Sequence, residues 1–389
     1  MPTSVSTIPA RSQASPLEAS RAARLMSLDL FRGATIAAMI LVNNPGDEAT
    51  AYWPLQHAAW NGWTPTDLIF PFFLFIVGVA MAFSFSSRQQ QGQGRGRLLQ
   101  HVLWRGLLIL ALGIFLNGFP NRYHLDHLRF YGVLQRIAIC YVITAVLELW
   151  TDWRTQLTVA LACLVGYWIL MRFVPVPGFG IPTHDIPLLD PDRNIVAWLD
   201  RKLLMGHLYE GTRDPEGVLS TIPAIATSAF GLLTGKGLRT AYSPQKKALA
   251  MGMFGLVAII VGRIMNVWFP VNKKLWTSSF VVFTVGLALV CLALCYWLVD
   301  VKKRRGLWTR LILVFGTNAI ASYFFAEVIA HILSRVKFHG TPLQEQIYQD
   351  LFAPQASSPG SSLLYAVTFV LVCWLAMAAL YRKDIVIKI

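Results

Sequence analysis

The chain has 389 residues, of which 55% are hydrophobic and only 14% are charged, and its formal net charge is +14. Soluble domains carry roughly 25% charged residues, so this composition excludes an ordinary soluble globular protein. Apolar runs of about 20 residues, the length that crosses a bilayer, recur along the chain and predict a polytopic membrane protein. No nucleic-acid partner is expected, because the basic residues lie between apolar runs, where they set membrane orientation.

In chain order, residues 1–24 are rich in Ser, Ala, Pro and Arg and predict a disordered cytoplasmic tail. Residues 25–389 are expected to form one transmembrane domain. The fold class predicted is all-α, a bundle of about ten transmembrane helices around a central cavity, with spans near 28–44, 67–86, 98–117, 131–150, 155–173, 218–236, 247–268, 277–299, 309–333 and 361–381.

The longest polar segment covers residues 174–217 and is rich in Pro, Gly and Asp. It carries one short amphipathic stretch at 196–204 and is long enough to fold over the mouth of a cavity as a lid. Lys and Arg are more numerous in the segments predicted to lie on the same side of the membrane as the N-terminus. The positive-inside rule therefore places both termini in the cytoplasm, and the 174–217 segment and the loop before the second span on the far side.

Ionisable residues inside membrane spans are costly and by default indicate function. Asp29 and Arg32 are three residues apart and are predicted to pair on one helix face. An ion pair that only fixes packing explains any one such residue equally well, but the group as a whole predicts a water-filled cleft. The residues with this interpretation are Asp29, Arg32, Arg105, Arg136, Arg263 and Glu327, and Asn44 and Asn318 add uncharged donors near helix ends.

The stretch "LQHAAWNGWTPTDLIFPFF" places His57 and Asp67 at the entrance to an apolar run. Asn43 ends the preceding run, and two helices in a hairpin bring their ends together, so these three side chains are predicted to share a pocket. A histidine held by a carboxylate beside an amide donor has the groups needed for general-base or nucleophilic chemistry on an acyl group. The alternatives are a surface histidine and an Asp67 that only favours the positive helix N-terminus.

Six motifs in one order, "RLMSLDLFRG", "LVNNPG", "HAAWNGWTPTDLIFPFFLFIVG", "YGVLQRIAICY", "DPEGVLSTIPAI" and "FGTNAIASYFFAEV", resemble the heparan-α-glucosaminide N-acetyltransferase family of transmembrane acyltransferases. The resemblance implies transfer of acetyl from cytosolic acetyl-CoA to the amino group of a terminal glucosamine across the membrane. It implies that His57 is the catalytic residue and that Asn43 takes part. The short N-terminal tail resembles bacterial members without the lumenal domain, which implies the bacterial inner membrane.

A cytosolic donor and a far-side histidine are separated by a hydrocarbon core of about 30 Å. The pantetheine arm of acetyl-CoA is therefore predicted to run through the bundle. Arg105, Lys236, Arg239 and Arg263 are the residues expected to bind the donor, although membrane orientation is the better explanation for Lys236 and for Arg239 when each is taken alone. Asn44, Trp60, Asn61, Asp29, Arg32, Arg136, Asn318 and Glu327 are the candidates for substrate binding, and no metal is expected.

Two alternatives stay open at this point. Buried charges also suit an inner-membrane transporter of an amino sugar such as N-acetylglucosamine, a role suggested for the bacterial branch. An O-acetyltransferase acting on envelope glycans would use the same groups. The expected partners are an amino-sugar acceptor and membrane lipids, and a homodimer is left open.

Overall fold

The computed structural model describes residues 25–119 and 125–387, so the predicted tail at 1–24 lies outside the described residues. The regular secondary structure in these residues is helical apart from one pair of two-residue antiparallel strands, β1 (Lys337–Phe338) and β2 (Thr341–Pro342). The helices are α1 (Met26–Asn43), α2 (Ile69–Gln90), α3 (Arg95–Gly118), α4 (Val133–Trp150), α5 (Trp153–Phe173), α6 (Ile195–Leu203), α7 (Thr221–Leu238), α8 (Pro244–Met265), α9 (Ser278–Tyr296), α10 (Leu307–Thr317), α11 (Ala319–Arg335), α12 (Leu343–Ile347) and α13 (Pro359–Arg382). Short 3-10 turns at Trp53–Leu55, Pro65–Leu68 and Leu125–His127, and π-helical turns at Trp297–Val301 and Tyr348–Phe352, complete the elements.

Eight helices of the described chain are long and apolar enough to cross a membrane, and nine if α10 and α11 form one span. This confirms an all-helical, multi-pass membrane protein. The run predicted at 218–236 is not among these eight or nine helices. It forms α7, but its Thr, Ser, Gly and Lys residues lower its hydropathy. Because α7 packs between other helices, against α2, α4 and α5, it does not need an apolar surface toward lipid.

Glycines allow α2 and α7 to approach closely. A Cβ atom on Gly78 would overlap the carbonyl oxygen of Ser228, and one on Gly231 would overlap that of Phe75. Both neighbours are backbone atoms and cannot move aside as a flexible side chain would. The contact between α2 and α7 therefore depends on glycine at these two positions.

The span predicted as one helix at 309–333 is broken instead. Helices α10 and α11 meet at an angle of 77° on either side of Asn318. The Asn318 side chain donates to the carbonyl of Ile385 at 3.0 Å and accepts from the backbone N–H of Ile387 at 2.9 Å. The sequence did not predict this bend because the residues that bind Asn318 follow the last helix and are far away in sequence.

Successive spans alternate in direction, so the bundle has two ends. One end, called here the His57 end, holds the residues between α1 and α2, the 174–217 segment and the loop at 266–277. The other end, called the opposite end, holds the start of α1 and the end of α13. Within the 174–217 segment, the amphipathic stretch predicted at 196–204 forms α6, one residue earlier than expected, and the Asn194 side chain caps it by accepting from Ala197 N–H at 2.9 Å.

Buried ion pairs fasten the C-terminal part of this segment to the bundle. Arg129 donates from Nε and Nη2 to the two carboxylate oxygens of Asp214, at 2.8 and 2.6 Å, and from Nη2 to Glu216 at 2.5 Å. The Asp214 side chain has no exposed area. Such a bidentate arrangement fixes both position and orientation of the acidic turn.

Candidate active site

The centre of the site is a hydrogen bond of 2.7 Å between Nδ1 of His57 and Oδ1 of Asp67. Asp67 lies in the 3-10 turn Pro65–Leu68 that leads into α2. Thr64 caps this turn in an extended conformation, Pro65 supplies the fixed φ of the first position, and Asp67 accepts from Thr64 N–H at 3.0 Å. This capping box is the local reason why the Asp67 carboxylate points back toward the His57 loop.

The two partners differ strongly in exposure. The Asp67 side chain is 1% exposed, whereas that of His57 is 46% exposed. Oδ2 of Asp67 also accepts from Ala58 N–H at 3.1 Å, so both carboxylate oxygens take part in hydrogen bonds. The carboxylate is therefore rigidly held, and with Nδ1 protonated toward it, the lone pair of His57 lies on Nε2.

Lys273 is a third member of this cluster, which sequence reasoning did not single out. Its Nζ lies 3.1 Å from Nδ1 and 3.4 Å from Nε2 of His57, and 3.6 Å from Oδ1 of Asp67. Burial lowers the pKa of the Lys273 ammonium, and the Asp67 carboxylate partly offsets this effect. In the sequence, Lys273 was only one of the loop lysines used for orientation, and no local pattern linked it to a histidine 216 residues away.

The loop at 266–277 and the loop that carries His57 are tied together. The Asn272 side chain donates to Oδ1 of Asn61 at 3.2 Å, and Gly62 N–H donates to the carbonyl of Val271 at 2.8 Å. Asn61, a candidate for substrate binding, therefore joins the two loops in this structure.

A strained residue shapes the turn after Lys273. Trp276 has a φ of +53°, in the left-handed region that bulky residues avoid, at a cost of roughly 1–3 kcal/mol. Its ring is 1% exposed and packs against the rings of Phe70 and Phe280, with centroids 4.9 and 5.4 Å away. The strain is held by this packing and by the Asn272 side chain, which accepts from Leu275 N–H at 2.9 Å.

Arg136, a predicted substrate residue, is fully buried beside Trp276, with its guanidinium 5.1 Å from the ring centroid. It donates to the carbonyl of Gly217 at 3.2 Å and to the Ser220 hydroxyl. Its Nε and Nη1 groups have no hydrogen-bond partner among the described residues. In this structure Arg136 anchors the end of the 174–217 segment and the start of α7.

The two asparagines at the end of α1 have different partners. Nδ2 of Asn43 donates to Glu327 on α11 at 3.1 Å, and both residues were predicted site members. Asn44 is buried and donates to the carbonyl of Ile40 at 2.8 Å, so it closes the end of its own helix. Asn43 is thus brought together with Glu327, and its side chain remains exposed.

Trp60 connects the His57 loop to the 174–217 segment. Its Nε1 donates to the carbonyl of Leu189 at 2.7 Å, and the guanidinium of Arg213 lies 5.0 Å from its ring centroid. The Trp60 ring, which was predicted to stack against a sugar, therefore already contacts the guanidinium of Arg213.

Other predicted residues lie near the opposite end. Asp29 and Arg32 pair at 3.0 Å as predicted, and Arg32 also donates to the carbonyl of Gly316 at 3.3 Å. A cavity of about 170 Å³ adjoins Asp29 and is lined further by Met26, Leu313, Thr317, Tyr381, Asp384, Ile385 and Val386. Asn318, which follows Thr317, is fastened to the residues after α13 as described above.

The four residues predicted to bind the donor are not in one place. Lys236 pairs with Glu148 at 2.6 Å, and Arg239 donates to the carbonyl of Ala82 at 3.2 Å and to the Ser86 hydroxyl, both at the opposite end. Arg105 lies within α3, and its guanidinium is 5.2 Å from the ring centroid of Tyr141 on α4. Arg263 is exposed near the last turn of α8, at the His57 end.

No group of three or more His, Cys, Asp or Glu side chains that could hold a metal ion occurs within residues 25–119 and 125–387. The groups that meet at the His57 end are an imidazole, a buried carboxylate and an ammonium group. These are the groups of a general base or nucleophile with its orienting partner.

Residues 24–189 match the family described as heparan-alpha-glucosaminide N-acetyltransferase, catalytic. The chain is 32% identical to the heparan-alpha-glucosaminide N-acetyltransferase of Mus musculus, over 82% of this chain and 57% of that protein. It is also 32% identical to the Homo sapiens protein of the same description, over 78% of this chain and 53% of that protein. The chain belongs to the heparan-α-glucosaminide N-acetyltransferase family.

This membership confirms the family predicted from the motifs. The chain spans little more than half the length of these two relatives. The segment that matches the family's catalytic region contains Asn43, His57, Asp67 and Arg136, whereas Lys273 lies beyond it.

Proposed function

We propose that this protein transfers acetyl from acetyl-CoA to the amino group of a glucosamine-type sugar, with His57 as the catalytic residue. The observation that carries the proposal is the 2.7 Å bond between a half-exposed His57 and a buried Asp67. Family membership supports the acetyltransferase class, and the family's name supports the amino-sugar acceptor.

The role of Asp67 is to hold the imidazole. With its carboxylate fixed by Ala58 and Thr64, it accepts a hydrogen bond from Nδ1–H of His57 and leaves Nε2 as the basic atom. In one version of the reaction, Nε2 removes a proton from the sugar amine as its nitrogen attacks the thioester carbonyl. In the other, Nε2 attacks first, CoA thiolate leaves, and the acetyl-imidazole is then attacked by the amine.

Asn43 is the proposed amide donor to the oxyanion that forms on the thioester carbonyl. Its side chain has two N–H groups, and Glu327 takes one of them at 3.1 Å. The remaining N–H is the one that would serve the oxyanion. Glu327 is then the residue that orients the amide.

The route of the donor follows from the two ends of the bundle. We assign the opposite end to the cytoplasm, as the distribution of Lys and Arg in the sequence favours. Acetyl-CoA then enters near Lys236 and Arg239, and the acceptor arrives at the His57 end. Both termini are cytoplasmic in this arrangement, and the membrane is the inner membrane of a bacterium.

The direct test is transfer of radiolabelled acetyl from acetyl-CoA to glucosamine by purified protein. We expect base-stable N-acetylglucosamine from the native chain and none from His57→Ala. His184→Ala is the matched control, because His184 also bonds to a neighbouring aspartate, Asp185, at 2.6 Å, but on an exposed surface. Equal transfer by native protein and His57→Ala would refute the role of His57.

Three other results would overturn the proposal itself. A base-labile acetyl product would mean that a sugar hydroxyl is the acceptor. Movement of labelled N-acetylglucosamine across proteoliposomes without acetyl-CoA, unaffected by His57→Ala, would indicate a transporter. Absence of acetyl-CoA binding by calorimetry would exclude this donor.

A further inference from the structure

We propose that Lys273 is a positioning residue of this site: its ammonium neutralises the buried Asp67 carboxylate, so that His57 stays uncharged and able to react. The inference deepens the proposed function, and its effect on the transfer rate rests on that function. Its effect on the chemical reactivity of His57 does not.

The starting point is charge balance around Asp67. A carboxylate that is 1% exposed requires a nearby cation or a proton. Two described side chains near its Oδ1 atom can supply positive charge, His57 at 2.7 Å and Lys273 at 3.6 Å. With the ammonium of Lys273 present, Asp67 is already balanced, and a second positive charge on His57 would be repelled at 3.1 Å.

The other charged groups that approach this cluster have their own partners. Lys274, the next residue, binds Glu210 at 2.9 Å, and Arg213 binds Glu210 at 2.6 Å. Glu216, whose charge also acts on Lys273, is bound by Arg129 at 2.5 Å. Loss of Lys273 would therefore leave His57 as the cation that meets Asp67, and an imidazolium has no lone pair to act as base or nucleophile.

The backbone supports a fixed position for Lys273. The strained, buried Trp276 closes the turn, and Trp276 N–H donates to the carbonyl of Lys273 itself at 3.0 Å. The preceding residue, Asn272, is fully buried and binds Asn61 on the His57 loop. The ammonium is thus presented to the imidazole from a rigid turn, with 20% of the side chain exposed.

Diethyl pyrocarbonate tests this without any assay of transfer, because it modifies only the uncharged form of imidazole. His57 is accessible to the reagent, being half-exposed. We would measure carbethoxylation at His57 by mass spectrometry between pH 5 and 9 in the native chain, Lys273→Met and Lys274→Met. His184, which is exposed and bound to Asp185 at 2.6 Å, is the reference within each sample.

We expect the pH at which His57 becomes reactive to rise by about one unit or more in Lys273→Met. It should stay unchanged in Lys274→Met, and His184 should not shift in any sample. Lys273→Arg, which retains the charge, should restore most of the native behaviour. An unchanged His57 profile in Lys273→Met, with His184 also unchanged, would overturn the proposal.

The transfer assay then separates the two proposals. If the native chain transfers acetyl, the acid limb of the rate profile should move upward in Lys273→Met, so that part of the lost activity returns at higher pH. A loss of rate that is equal at every pH would assign Lys273 a structural role and overturn the proposal. If the native chain transfers nothing while His57 reactivity shifts as expected, the acetyltransferase proposal fails and the role of Lys273 stands.

Discussion

The side-chain amide of Asn61 accepts a hydrogen bond of 3.2 Å from the side-chain amide of Asn272, and so ties the loop of His57 to the loop of Lys273. Asn272 is fully buried, while Asn61 lies at the surface of the contact. The relative position of the imidazole and the ammonium therefore depends on this pair as well as on their own contacts.

Replacement of Asn61 by Ala should loosen the site. It would leave the buried amide of Asn272 without its acceptor, at a cost of about 1–3 kcal/mol. We expect a lower melting temperature in detergent and a fall in transfer rate of about tenfold. Asn61→Asp is the matched control, because its carboxylate still accepts, and it should retain most of the rate. Equal losses in both variants would contradict the geometric role.

Replacement of Asp67 by Asn should leave acetyl-CoA binding intact and lower the rate constant at saturating donor by about 10³–10⁴. The amide would no longer hold the His57 proton on Nδ1, and its NH2 group would face the backbone N–H of Ala58 or Thr64. The rate is measured as label transferred from acetyl-CoA to the acceptor in samples quenched at successive times. Asp185→Asn removes the carboxylate partner of His184 and should change nothing. Full activity in Asp67→Asn would remove this residue from the mechanism.

Replacement of Arg129 by Met should free the 174–217 segment. The change leaves Asp214 and Glu216 without their cation, and breaking a buried pair in this way costs about 3–5 kcal/mol. Limited proteolysis should then cut the segment at least tenfold faster. Arg193→Met is the control, since its pair with Asp190 involves a half-exposed side chain and is worth roughly 0–1 kcal/mol. Equal cleavage of both variants would argue against this anchor.

Asp200 predicts a pH dependence of stability. Burial raises the pKa of this carboxyl from 3.8 to about 6, and its Oδ2 atom has no partner among the described residues. The folded state therefore disfavours ionisation: there is no penalty below about pH 4, and about 3 kcal/mol of stability is lost as the pH rises through 6. Asp200→Asn should melt higher than the native chain at pH 8 and equally at pH 4.

Melting curves of Asp350→Asn, a change at an exposed carboxylate, provide the comparison for Asp200. Its difference from the native chain should be small at both pH values. If Asp200→Asn fails to gain stability between pH 4 and 8, ionised Asp200 is compensated in the fold by Arg136, the cation that acts on it.

The sequence allowed the local part of the site to be predicted. His57 and Asp67 are ten residues apart within one motif, and the capping pattern around Thr64 and Pro65 makes their contact a matter of local geometry. Asp29 and Arg32 were predicted to pair for the same reason, since three residues bring side chains onto one helix face.

The rest depends on contacts between distant segments, which periodicity does not encode. Lys273 approaches His57 because the 266–277 loop folds against the His57 loop, and Asn318 bends its helix because it binds residues after α13. The run at 218–236 was predicted only as a further span, and its small and polar residues suit the position that α7 takes among other helices. Hydropathy measures apolarity and does not say which helices will be neighbours.

The ties that complete the site also set the order in which it can appear during synthesis. The contact between Asn61 and Asn272 joins residues 211 apart, and that between Asn43 and Glu327 joins residues 284 apart. A nascent chain inserted only through α7 carries His57 and Asp67 but none of these partners. The ribosome must therefore deliver α9 and α11 to the membrane before the histidine has its full surroundings, so the reactive centre matures late although its own residues emerge early.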